Sequence, residues 1–87
     1  MKGTDIAVSR DHRFSIGVER DGGRFYLSIP VSNRLVDYEE HYEISQAEFD
    51  LYRQDLSTAL LLVDQCRRRQ ADSRLMTPPG ADRGVAT

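Results

Sequence analysis

Cysteine is almost missing from this chain: Cys66 stands alone. No internal disulfide can brace the fold, and no Cys/His cluster offers a structural zinc site. Lysine is equally scarce, with Lys2 the only one. There is no phosphate-cradling glycine loop and no nucleophile elbow, since Asp21-Gly22-Gly23 reads as a turn. Histidine occurs only at 12 and 41, and neither position makes a recognisable motif with Cys66. Cys66 is therefore read as a small half-buried hydrophobe, and no cofactor is expected. Long apolar runs are lacking too. The longest is Ala59 to Val63, far short of the roughly 20 residues a membrane span needs. The segment Met1 to Ile6 has no secretory apolar run, so a cytoplasmic location is expected, and one free thiol suits a reducing compartment.

What remains is 87 residues, 39% hydrophobic and 30% charged. That composition belongs to a soluble globular domain with a thin core, which usually needs a supplement. With disulfide and zinc removed, oligomerisation is the supplement expected here, most simply a homodimer.

Charge is unevenly spread. The net charge of −2 conceals +2 over residues 1–35 and +3 over 65–87, on either side of −7 over 36–64. Such a block bears on partners and encounter rates, not on fold.

Hydropathy alternation gives the strands. Phe14, Ile16 and Val18 alternate with Ser15, Gly17 and Glu19, the period of a half-buried strand. After the Asp21-Gly22-Gly23 turn, Phe25, Leu27, Ile29 and Val31 share one face of a second strand. Pro30 within it must face an unpaired side or lie near its end. Ser32-Asn33 turns the chain into a third strand, about Leu35 to Ile44. Ile6 and Val8 alternate weakly and leave room for a leading strand. Ser45 with Glu48 is a capping box, and Ile44 with Phe49 supplies a hydrophobic staple. The helix presents Phe49, Tyr52, Leu56, Ala59, Leu60 and Val63 at helical spacing, with Asp55 or Ser57 placed to cap a second segment. The expected fold is α+β: a three- or four-stranded antiparallel meander, then a C-terminal helix, kinked or split near residues 54–57, on one face. Residues 1–72 form the domain, and Thr77-Pro78-Pro79-Gly80 leaves 73–87 as a flexible tail. Leu60 to Val63 is apolar around much of the helix, which again points to a second copy of the chain.

The third strand concentrates the chemistry. Val36, Tyr38, Glu40, Tyr42 and Ile44 share the face expected to meet the helix, which makes Glu40 the odd member of an apolar row. A buried carboxylate is costly unless paired. Glu40 therefore either escapes through a bulge at Glu39-Glu40 or a strand end, or serves as a functional carboxylate. The opposite face carries Asp37, Glu39, His41 and Glu43. As metal ligands these suffer from a same-face spacing of roughly 7 Å. As a docking surface for a basic partner they offer electrostatic complementarity on a rigid strand. Arg67-Arg68-Arg69 invites a nucleic-acid reading, but cations in the last helical turn also counter the dipole, and the acidic pI of 5.6 opposes general nucleic-acid binding.

The segments Tyr26 to Asn33, Val36 to Glu40 and Tyr42 to Ile44 resemble small bacterial proteins of actinobacterial type. That group carries no assigned chemistry, so the resemblance transfers no catalytic residue. In its acidic α+β style the chain is also similar to immunity proteins of bacterial toxin systems, which implies a carboxylate surface covering a basic partner. The expected function is non-catalytic protein binding through Asp37, Glu39, Glu43 and Asp50, with Tyr42 or Tyr38 as an aromatic anchor and Glu40 as a further candidate. A small carboxylate- or metal-dependent site at Glu40 and His41 is the alternative from another class, and a nucleic-acid regulator acting through Arg67 to Arg69 is the third.

Overall fold

The structure, a computed structural model, describes residues 3–87. Four antiparallel strands follow one another in sheet order: β1 (Gly3–Ser9), β2 (Phe14–Glu19), β3 (Phe25–Ser32) and β4 (Asp37–Ile44). The helical part follows as α1 (Gln46–Gln54), a 3₁₀ turn over Leu56–Ala59, and α2 (Leu60–Arg67). The α+β meander expected from the sequence is present, and the weak Ile6-Val8 signal is a full edge strand. No helix among the described residues is long and apolar enough to cross a membrane.

Local chemistry explains each junction. Gly23 closes the β2–β3 turn at φ +67, a conformation that costs an L side chain but not glycine. At the β3–β4 turn the Asn33 side-chain oxygen accepts from the N–H groups of both Leu35 and Val36, at 2.8 Å each. The capping box is complete: Glu48 N–H donates to Ser45 Oγ at 3.0 Å, and Ser45 N–H to Glu48 Oε1 at 2.8 Å. Asp55 stops α1 in an extended conformation and its carboxylate accepts from Ser57 N–H, so the helix splits where the sequence indicates. α2 ends in a Schellman motif. Gln70 N–H reaches Gln65 O, Arg69 N–H reaches Cys66 O, and Arg69 itself sits at φ 59.

The helices pack on one face of the sheet. Ile16, Leu27, Ile29, Tyr42 and Ile44 meet Phe49, Tyr52, Ala59, Val63 and Cys66 there, and the Phe25 and Phe49 rings stack at 4.5 Å. Of the apolar run in α2, Leu62 and Val63 are buried and Leu60 packs against the core, leaving Leu61 74% exposed. The packing argument for a second copy over this helix thus reduces to one side chain.

Residues 73–87 are not the free tail expected from their prolines and glycine. A 3₁₀ turn over Asp72–Arg74 leads to Leu75, which bridges Tyr42 on the outer edge of β4, and Met76 N–H donates to His41 O. The chain then returns to the other side of β3, where β5 (Val85–Ala86) pairs with Val31 and Ser32. Pro30 lies between the end of β2 pairing at Ser28 and the start of β5. Its missing N–H is harmless there, and its carbonyl accepts from Thr87 N–H at 3.2 Å.

The second face of the sheet is less wet than alternation suggests. Ser15, Tyr26 and Ser28 are buried on it. The Tyr26 side chain lies over Gly17, where an added Cβ would fall 2.5 Å from Tyr26 Oη and 2.2 Å from Thr4 O. Its hydroxyl donates to Asp5 Oδ1 at 2.6 Å, and Ser15 Oγ donates to the same oxygen at 3.3 Å. Small residues on β2 thus let an aromatic from β3 reach β1, closing a polar seam across three strands.

Candidate docking face on strand four

β4 pairs with β3 without a break, from Phe25 opposite Ile44 to Ser32 opposite Asp37. There is no bulge at Glu39-Glu40, and Glu40 points inward, 8% exposed. Its escape to water, the simpler expectation, does not occur because a partner arrives from far along the chain. Arg83 donates to both Glu40 oxygens, Nε to Oε2 at 2.8 Å and Nη2 to Oε1 at 3.1 Å. The same guanidinium donates to both oxygens of Asp72, at 2.8 and 2.9 Å. Tyr42 completes the set by donating its hydroxyl to Glu40 Oε1 at 2.7 Å.

One arginine therefore serves two carboxylates in a bidentate fork on each side, the arrangement only a guanidinium allows. Hydrogen bonding from Arg83 holds the Asp72 carboxyl below its ordinary range, and Asp72 and Glu40 in turn raise the already high proton affinity of Arg83. Beside this fork, Gly84 N–H donates to Tyr38 Oη at 2.7 Å. Gly84 is required there, since a Cβ would sit 2.5 Å from Ser32 O. Arg69 Nη2 holds Gly84 O at 2.9 Å. Arg74 binds Glu48 through both oxygens, at 3.0 and 3.1 Å. The returning segment is fastened to β4 and to α1 by ion pairs.

The network corrects two expectations. Tyr42 is fully buried with its hydroxyl committed to Glu40, so it cannot anchor a partner. The pairing of Glu40 with His41 as a catalytic couple also fails on geometry. The two side chains project to opposite faces of β4, and Glu40 is already held by Arg83 and Tyr42.

The outer row stands where alternation put it. Asp37, Glu39 and Glu43 are exposed on the face away from the helices, with His41 half-buried among them. Asp37 accepts from Ser32 Oγ at 2.6 Å, and Glu43 lies 3.5 Å from Arg24 Nη1. Glu39 makes no ion pair among the described residues. Partial burial, and then the nearby Asp5 carboxylate, push its pKa up. The His41 ring meets the Tyr26 ring edge-on at 4.9 Å, and burial lowers its pKa against the opposing pull of Asp5. Among the described residues no three His, Cys, Asp or Glu groups gather to hold a metal ion. Asp50 is exposed on α1, in the layer on the other side of the sheet, and does not join this row.

Two hollows flank Glu39. One, of about 310 Å³, opens on the outer face between β1 with its turn and β4, and brings Arg10 and Arg13 together with Asp5 and Glu39. The other, of about 620 Å³, lies along the free edge of β4 beneath residues 77–82, bounded by Tyr38, Glu39, His41, Pro78 and Asp82.

The arginine cluster is occupied internally. Arg67 Nη2 donates to the His12 and Arg13 carbonyls of the β1–β2 turn, Arg68 pairs with Asp64 at 3.1 Å, and Arg69 holds the Gly84 carbonyl. Sequence reasoning missed Arg83, Asp72 and Asp5. The only local signal was Glu40 itself, an acid in an apolar row that needed a cation from somewhere. No protein-family model matches the chain, and no curated protein and no solved structure matches it.

Proposed function

We propose that this chain is a non-catalytic protein-binding module that offers the acidic face and edge of β4 to a basic partner. The observation that carries the reading is that Glu39 stands exposed, with no ion pair among the described residues, in the middle of an acidic strand whose inner side is locked down. Ser32 and Arg24 only partly engage Asp37 and Glu43, so three carboxylates on one rigid strand present a negative field. The fork of Arg83 to Glu40 and Asp72 sits behind that strand and keeps it fixed, which lowers the ordering cost a partner would meet. The exposed carboxylates of Asp37, Glu39 and Glu43 steer a cationic surface toward it. The sharpest form of the reading is an immunity- or antitoxin-like protein that blocks a basic partner by covering it.

Three further features favour this reading over the catalytic and nucleic-acid alternatives. The inward carboxylate is saturated with donors, the thiol of Cys66 is buried with its pKa pushed up to about 12 by burial, and each arginine of the Arg67–Arg69 cluster has an intramolecular acceptor. A homodimer remains the companion proposal, with Leu51 and Leu61 as its exposed apolar side chains.

The test is backbone-amide NMR titration with an eight-residue peptide of alternating arginine and threonine, and with its glutamate–threonine counterpart. The reading expects salt-sensitive shifts centred on Asp37, Glu39 and Glu43 with the arginine peptide alone. Shifts scattered over the surface, or none, would refute it.

A further inference from the structure

The free edge of β4 carries more than charge. Met76 N–H donates to His41 O, so the backbone groups of His41 face outward, and Leu75 lies opposite Tyr42 as a strand neighbour would. Backbone direction alternates along a strand, so the N–H and C=O of Glu39 face the same outer edge. Among the described residues no backbone or side-chain group bonds to them there. The chain that supplies Leu75 and Met76 turns away at Thr77-Pro78-Pro79, where proline has no N–H to continue a ladder. The edge is thus met by a neighbour at Tyr42 and at the His41 carbonyl and is open beyond, alongside the groove of about 620 Å³.

We infer that this groove receives an extended basic segment of a partner protein, which adds to β4 as a strand in line with Leu75–Met76 and sets a lysine or arginine opposite Glu39. The inference rests on the binding role proposed above and names the manner of binding. Charge selects the occupant. Glu39 and Asp82 border the groove, Glu40 is already neutralised by Arg83, and among the described residues no arginine or lysine lines the groove. A second copy of this chain is disfavoured there, because β4 against β4 would set Asp37 and Glu39 against the same acids. In a hydrogen-bonded antiparallel pair the residue opposite Glu39 turns its N–H and C=O toward β4 and its side chain to the same face as the Glu39 carboxylate. Main-chain bonds then hold the segment and the carboxylate chooses its charge.

The experiment uses the arginine–threonine peptide in three forms: unmodified, methylated on the backbone nitrogens of its arginines, and methylated on the backbone nitrogens of its threonines. Strand addition expects the threonine-methylated form to bind like the parent and the arginine-methylated form to bind at least tenfold more weakly. It also expects the Glu39 amide to exchange more slowly with solvent in the complex, and Glu39→Arg to move the preference to the glutamate–threonine peptide. Equal binding by all three forms, with shifts still centred on Asp37, Glu39 and Glu43, would overturn strand addition and leave charge-driven docking standing. No binding by any form would remove the docking reading and this inference with it.

Discussion

Replacing Arg83 with methionine is expected to destabilise the fold by about 3–5 kcal/mol, the usual cost of removing one partner from a buried ion pair. Glu40 is 8% exposed, and without the guanidinium only the Tyr42 hydroxyl would remain on its carboxylate. The Arg83 side chain is 12% exposed, so solvent screening discounts the effect little on this side, whereas Asp72, at 42%, returns to water at small cost. A domain of this length has a total stability of roughly 4–13 kcal/mol, so the variant should sit near the folding threshold, with Tm lowered by more than about 10 °C. The assay is urea and thermal denaturation followed by far-UV circular dichroism, with hydrogen exchange at Gly84 and Thr87 reporting release of the returning segment. The double variant Glu40→Gln with Arg83→Met should recover a large part of the loss, because it removes the uncompensated charge. A cost below about 1 kcal/mol for Arg83→Met, the level of an exposed pair, would refute the claim that Glu40 is an internal charge held by the C-terminal segment.

Three other outcomes are expected. Gly17→Ala should cost about 1–3 kcal/mol in thermal denaturation, because its Cβ would meet Thr4 O and Tyr26 Oη at 2.2 and 2.5 Å; an unchanged Tm would show that the Tyr26–Asp5 seam can shift. Arg83 holds Asp72 below its ordinary 3.8, so the folded state binds fewer protons there than the unfolded chain. Its contribution is present above that value and lost as pH falls through the lowered pKa, so protection of the Thr87 amide, relative to its intrinsic exchange rate, should fall below pH 3.8 before that of the core amides, whereas simultaneous loss would refute a separately anchored segment. Cys66, buried with its pKa near 12, should resist a thiol reagent at pH 8 in the native state and react on unfolding; rapid native reaction would contradict the packing of α2.

Local chemistry made much of this fold legible. Alternation at Phe14–Val18 and Phe25–Val31, the glycine turn at Gly22-Gly23, the Ser45–Glu48 box and the Asp55 break each depend on neighbours within a few residues. Glu40 also announced itself, as a carboxylate among aromatic and aliphatic neighbours on one strand face. Its partner lies 43 residues onward, in a segment whose prolines and glycines carry the local signature of a tail. Nothing in that signature reveals that Arg83 will close onto Glu40. The Tyr26–Asp5 seam is non-local in the same way: alternation assigns Tyr26 to the outer face but does not say that Gly17 leaves space for its side chain to reach Asp5. Tyr42 shows the converse limit, since an aromatic at the right face and spacing reads equally as anchor or as core. The acidic face on Asp37, Glu39 and Glu43 was legible by charge and alternation, whereas the gap in backbone pairing beside Glu39 depends on where residues 75–79 turn.

The measurement closest to the central claim is the association rate of the arginine–threonine peptide with the native chain and with the triple variant Asp37→Lys, Glu39→Lys, Glu43→Lys, at low and at high salt. The account predicts that charge reversal slows association at low salt by about tenfold or more, that the two rates converge as salt screens the field, and that the thermal unfolding of the variant is little changed. Equal rates at low salt from a variant that remains folded would contradict it.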